Sequence, residues 1–304
     1  MTQRPHPEQA RGLAYAVGAY LAWGLLPLYL LLLHAVPPVV FVGWRIVFTV
    51  PVCLVIVLVS RQGPALVAAL RNPRVMAMLL ASALLIGGNW LVYAIAIAQG
   101  HVFAASLGYY INPLVNVVLA NLFLGERLNR RQAWAVALVA AGIVPLAIQA
   151  REMLWISLVL AGSFSGYGLV RKIAPVSPLP GLTIESLLML VPAGLVLAWH
   201  GWSGLDGDAE TTGLLAAAGI VTAIPLLLFA GAARRMPYTT LGFVQFIAPT
   251  IVFLLGLYVF HEPLRPAQLA SFAVIWLAIF IFSRDLILQQ RGLNRRATRP
   301  RSEA

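Results

Sequence analysis

Apolar residues in this chain run in long blocks, interrupted at short intervals by small clusters of arginine, proline and glycine. A block of about 20 apolar residues, wound as a helix, matches the thickness of a bilayer's hydrocarbon core. Ten such blocks can be traced, at 13–33, 37–60, 75–98, 102–124, 132–149, 153–170, 180–200, 212–232, 238–260 and 266–283. The strict alternation expected of outer-membrane barrel strands does not occur. The pattern predicts an all-α polytopic membrane protein of ten transmembrane helices, with residues 1–12 before them and 284–304 after them. The first block is too long for a signal-peptide core and lacks a small-x-small cleavage site, so it reads as a retained helix.

Composition agrees, since 61% of residues are hydrophobic and 10% charged, against about 25% charged in soluble domains. A net charge of +11 would fit a nucleic-acid partner, but the placement of the charges points to the bilayer instead. With the N-terminus in the cytoplasm, every Lys and Arg falls on the inner side except Arg45, Arg151 and Arg265. The positive-inside rule then puts both termini in the cytoplasm and requires an even helix count. The basic tail, 284–304, reads as a disordered topology anchor. The single cysteine, Cys53, lies within a span, which excludes an intramolecular disulfide.

One segment is written twice. INPLVNVVLANLFLGE at 111–126 returns as IAPTIVFLLGLYVFHE at 247–262, with Pro113 on Pro249 and Glu126 on Glu262. In the same register Gln132 falls on Gln268. The copies occupy the fourth and ninth spans, so the repeat is five helices long: 13–149 and 150–283. Five is odd, and the second copy therefore crosses the membrane in the opposite sense. Inverted repeats characterise secondary transporters, because exchanging the conformations of two similar halves moves the opening of a central site from one face to the other.

WGLLPLY (23–29), GGNWLVYAIA (87–96), SLGYYIN (106–112) and PLVNVVLANLFLGERL (113–128) together resemble the RarD type of EamA transporters, in the drug/metabolite transporter superfamily. The resemblance covers about 13–283. It implies ten helices in two five-helix repeats and transport of a small metabolite or drug-like solute across the bacterial inner membrane, by export or exchange. It leaves the substrate open. HEPL stands in the second half where GERL stands in the first, so only the glutamate carries over.

Polar groups in hydrocarbon are costly unless paired, which makes those near mid-span the candidates for a transport path. Asn112 and Asn116 flank Pro113 and share a helical face; Gln245 and Pro249 repeat the device in the ninth span. Asn89 and Trp90 lie in the third span and Trp23 in the first, with Tyr93, Tyr109 and Tyr110 nearby. Arg45 lies about eight residues, some 12 Å, into the second span. There it would anchor a substrate carboxylate or serve as a counter-ion during rocking; the competing reading is snorkelling to the interface. The substrate-path set is thus Trp23, Arg45, Asn89, Trp90, Tyr110, Asn112, Asn116 and Gln245. For the amides the competing role is interhelical glue, worth about 0.6 kcal/mol per bond.

Glu185, early in the seventh span, is the candidate proton-coupling group. Pro113 and Pro249 are expected to act as structural pivots. Glu126 and Glu262 are expected to bind free N–H groups at the start of the helix that follows each. No catalytic, metal or cofactor constellation is apparent. The five histidines are scattered, Lys172 is outside any phosphate-loop motif, and GSFSG (162–166) departs from the nucleophile elbow. The function predicted is a secondary carrier; the alternative is a membrane-embedded enzyme or lipid-handling protein, which would need a nucleophile or metal site at one interface. The partners expected are a small solute, the bilayer and protons, with a homodimer left open.

Overall fold

The computed structural model describes residues 7–205, 209–259, 261 and 266–297. These form twelve α-helices: α1 Pro7–Leu32, α2 Pro38–Val59, α3 Gly63–Leu70, α4 Pro73–Ala98, α5 Val102–Leu124 and α6 Arg130–Gln149, then α7 Leu154–Ile173, α8 Pro178–Trp199, α9 Ala209–Ala233, α10 Tyr238–Val244, α11 Ile247–Tyr258 and α12 Pro266–Ala297. A single 3-10 turn, Arg151–Met153, joins α6 to α7.

The breaks follow local chemistry. Pro38, Pro73 and Pro178 each open a helix, where the missing N–H costs nothing. Asn72 caps α4 by accepting from Arg74 N at 3.1 Å and Val75 N at 3.2 Å. Asn129 and Gln132 form a reciprocal capping box on α6, with bonds of 2.9 and 3.1 Å. α5 ends at Gly125, whose φ of 65° is the left-handed conformation that closes a helix and that glycine adopts without strain.

Among the described residues nine helical segments are long and apolar enough to cross a membrane, α10 and α11 counting together as Tyr238–Tyr258. Their outward faces are apolar, with Val59 80% and Trp199 88% exposed. A soluble protein would not leave such surface in water; here it is the lipid-facing surface. α12 runs past the expected end of the tenth block at 283 to Ala297, so the proximal part of the supposed disordered tail is helical. α1 likewise starts earlier than expected, at Pro7, with an Arg11–Glu8 pair on its first turns. α3 is an element the apolar pattern did not predict.

The ninth span is broken. Pro249 has no N–H for the Gln245 carbonyl, and its ring crowds that carbonyl. The helix accordingly stops at Val244 and restarts at Ile247, with Ala248 N reaching the Gln245 carbonyl in a tighter turn at 3.1 Å. α5 contains Pro113 yet stays continuous. The two prolines share a register, but only one interrupts its helix.

α2 packs on α8 and α9, α1 on α9 and α11, α4 on α7, and α5 on α7 and α10. At the centre Tyr20, Trp23, Phe164, Tyr167 and Phe229 form one ring cluster, with centroid separations from 5.2 to 6.3 Å. α6 and α12 pair at the flank, tied to the rest by stacked Phe243 and Phe282 at 3.6 Å.

Candidate functional site

Beside that ring cluster lies a cavity of about 410 Å³, walled by α1, α2, α4, α5 and the α10–α11 break. Its floor is formed by Tyr20, Trp23, Phe164, Leu226, Gln245 and Pro249. From there it extends to Leu33, His34 and Val36 at the α1–α2 turn, beside Ile97 near the end of α4. Measured along α1 from Tyr20 to its end at Leu32, that is about 18 Å of helix, and the cavity continues into the turn beyond it.

Of the sequence candidates, Trp23, Arg45, Asn89, Trp90, Tyr110, Gln245 and Pro249 line this cavity. Arg45 Nε donates to Thr222 Oγ1 of α9 at 3.1 Å. Its guanidinium lies 4.1 Å from the Trp90 ring and 5.7 Å from Phe41. Asn89 Nδ2 donates to Leu160 O and Ser163 Oγ, each at 2.9 Å. Both of its N–H groups are used, so what it has left for a ligand is an acceptor. Gln245 is the converse: its Oε1 accepts from Asn116 Nδ2 at 3.2 Å, leaving an amide donor.

Asn112 and Asn116 are 1% exposed and lie behind the wall rather than on it. Asn112 Oδ1 accepts from Ser165 Oγ at 3.1 Å, joining α5 to α7; Asn116 joins α5 to the α10–α11 break. These are packing bonds between helices.

The opposite end is shut. Tyr238 Oη donates to Ser165 O at 2.6 Å, carrying α10 against α7, and a Cβ at Gly168 would overlap that hydroxyl. α10 begins after Pro237, which gives it no side-chain cap. Glu126 supplies one from a distant part of the chain: Oε1 accepts from Tyr238 N at 2.7 Å and Oε2 from Thr239 N at 2.9 Å. The expectation for Glu126 placed its partners at the start of α6. That start already has its own capping box, and the free N–H groups within reach are those of α10. Glu262 lies outside the described residues.

Glu185 is fully buried, so it is neither solvated nor on the cavity wall. It sits 3.4 Å from Arg171 Nη1, itself 1% exposed, and accepts from Ser82 Oγ. Arg171 Nη2 also donates to Pro178 O at 2.8 Å. Among the described residues Glu185 Oε2 and Arg171 Nε have no hydrogen-bond partner. Sequence reasoning missed Arg171 as the carboxylate's partner, because nothing in helical periodicity links the end of α7 to α8. Phe41 could have been found, since it stands one helical turn before Arg45.

Basic residues crowd this shut end. Lys172 Nζ donates to Ala233 O and Met236 O at 3.0 and 2.7 Å, capping the end of α9. Burial, then the like charges of Arg171 and Arg235, lowers the neighbouring Arg234 guanidinium below its ordinary value. Among the described residues no cluster of His, Cys, Asp and Glu is gathered that could hold a metal.

A helical membrane bundle around a largely aromatic and apolar central cavity with a few polar groups, Arg45, Asn89 and Gln245, on its wall fits a transporter of small solutes. The model of the EamA-like transporter family matches the chain twice, over residues 10–148 and 151–284, and the chain belongs to that family. It is 43% identical over 283 residues to an uncharacterized transporter of Pseudomonas aeruginosa, covering 90% of this chain and 94% of that one. It is 39% identical over 292 residues to the protein RarD of Escherichia coli, covering 93% and 97%. A solved crystal structure superposes with a TM-score of 0.70 over 89% of this chain and 96% of its own, at 20% identity, a likeness of fold alone.

Proposed function

We propose that this chain is a secondary carrier that moves a small solute by alternating access, with ten membrane-spanning helices arranged as two inverted five-helix repeats. The double match to one family model supports the duplication. The single observation that carries the mechanism is the asymmetry of the bundle. A cavity reaches from mid-bundle to the α1–α2 turn, while the far end is closed by α10 and the Glu126 cap. The closed end holds Arg61, Arg71, Arg74, Arg127, Arg171, Lys172 and Arg234, so the positive-inside rule assigns it to the cytoplasm. The state is then outward-open, in the bacterial inner membrane, with both termini inside.

Closure of the outer mouth and opening of the inner end require α10 to move relative to α11. The break at Gln245–Phe246 is the place where that motion costs least, because no continuous hydrogen-bond ladder crosses it. Export or exchange is the direction that the resemblance to the RarD type implies.

The test is flux. The purified full-length protein in liposomes should equilibrate at least one member of a labelled metabolite panel saturably and stereoselectively, with and without an imposed pH gradient. Flux proportional to concentration without limit would indicate a pore and overturn the carrier reading.

A further inference from the structure

We infer that the cavity takes a small monoanion, a carboxylate on an aromatic or otherwise apolar body, with its head on Arg45 and its body among Trp90, Tyr93 and Tyr109. This deepens the carrier reading and rests on it.

The argument begins with charge. Arg11, Arg131, Arg171 and Arg235 each lie within 4 Å of a carboxylate. Among the described residues Arg45 has none, although it sits mid-bundle on the cavity wall. Its supports are neutral: Thr222 Oγ1 on Nε, and the face of Trp90 against the guanidinium plane. That arrangement orients the group and leaves the Nη edge, the fork that grips a carboxylate through two parallel bonds. A permanently charged guanidinium, part-buried on the cavity wall among aromatic rings and with no counter-charge among the described residues, is complemented by an incoming anion. Arg171, buried in the bundle, has Glu185 beside it; Arg45, among the described residues, has no carboxylate and stands on the cavity wall.

The wall sets the rest of the solute. Among the described residues no carboxylate lines the cavity, so an organic cation meets repulsion from Arg45 and no compensating acid. A dianion finds one cation for two charges. The volume of about 410 Å³ is in the range of small-molecule pockets, which run from about 300 to 1,000 Å³. Phe41, Trp90, Tyr93 and Tyr109 present ring surface beside the guanidinium, and Tyr93 and Tyr109 pack edge-on at 5.9 Å. Ring surface of this kind is matched by an apolar body. The acceptor left on Asn89 and the donor left on Gln245 would orient a hydroxyl or amide further along the solute.

The test uses one skeleton with three heads: 3-phenylpropanoate, 3-phenylpropanamide and 3-phenylpropylamine, titrated calorimetrically into the full-length protein in nanodiscs at neutral pH. The acid is expected to bind at least about tenfold tighter than either of the others, a difference of about 1.4 kcal/mol. Arg45→Gln should abolish that preference. Arg45→Lys should keep it at reduced affinity, since the charge remains and the fork is lost. Equal binding of the amide or the amine, binding of none of the three, or an unchanged preference in a monodisperse Arg45→Gln protein would each overturn the inference. The comparison in the native protein decides even where the glutamine variant does not fold. Saturable flux of the amine or amide but not the acid would sink this substrate class and leave the carrier standing. Binding of the acid with no saturable flux of any solute would sink the carrier.

Discussion

Glu126 spans a join that no local rule describes. Its two oxygens take the first two N–H groups of α10, a helix whose start otherwise has only a proline before it. Hydrogen bonds to a charged acceptor contribute about 1.5–3 kcal/mol each, less here because the side chain is half-exposed. Removing the charge while keeping the shape should therefore loosen the closed end without unfolding the bundle. In a Cys53→Ala background carrying Leu241→Cys, a buried position on α10, Glu126→Gln should raise the rate of maleimide labelling about tenfold, the factor that 1.4 kcal/mol supplies. An unchanged rate would show that Glu126 holds nothing shut. The sequence singled out the carboxylate through its repeat, but not its partner. The separation of 112 residues from Glu126 to Tyr238 is bridged by packing, which no periodicity encodes. Asn112 and Asn116 teach a related lesson: mid-span polarity selected them, yet polarity alone does not distinguish a cavity wall from the packing behind it.

At the scale of the element, the ninth span is where proline acts. Replacing Pro249 with alanine restores the missing N–H, so α10 and α11 should fuse into one helix. The expected result is unchanged or higher thermal stability together with flux reduced about tenfold or more, because the pivot is stiffened. Pro113→Ala should affect flux far less, since α5 is already continuous. Measuring melting and uptake on the two variants in parallel checks this; equal losses of flux would mean that the break is not the pivot. Both prolines were legible in the sequence as a matched pair. Their difference was not, because whether a proline bends or breaks a helix depends on what packs against the freed carbonyl.

For the whole molecule, the Arg171–Glu185 pair with Ser82 ties α7, α8 and α4 at the closed end. Glu185 was the candidate for proton coupling from its position in a span. Its burial opposite Arg171 makes a second outcome testable. Truncating one partner leaves a buried charge alone, at a cost of about 3–5 kcal/mol. Glu185→Gln and Arg171→Met should each lower the melting temperature sharply, and the double variant should recover most of the loss. Flux by the double variant under a pH gradient then reports coupling separately from folding: gradient-driven accumulation that disappears identifies Glu185 as the coupling group, and accumulation that persists identifies the pair as architecture.

Apolar block length against bilayer thickness was sufficient, from the sequence alone, for the helical membrane class, and residue identity was sufficient for the family. Both are local or compositional properties: a run of 20 hydrophobic residues has few other stable fates, and a motif is read in order. The tertiary structure decided which polar residues meet. It put Arg45 on a cavity wall that carries no carboxylate among the described residues, gave Glu185 to Arg171, and sent Glu126 across the bundle to α10. Those pairings depend on helix rotation and crossing, which are set by side-chain packing summed over the whole bundle and not by any one segment.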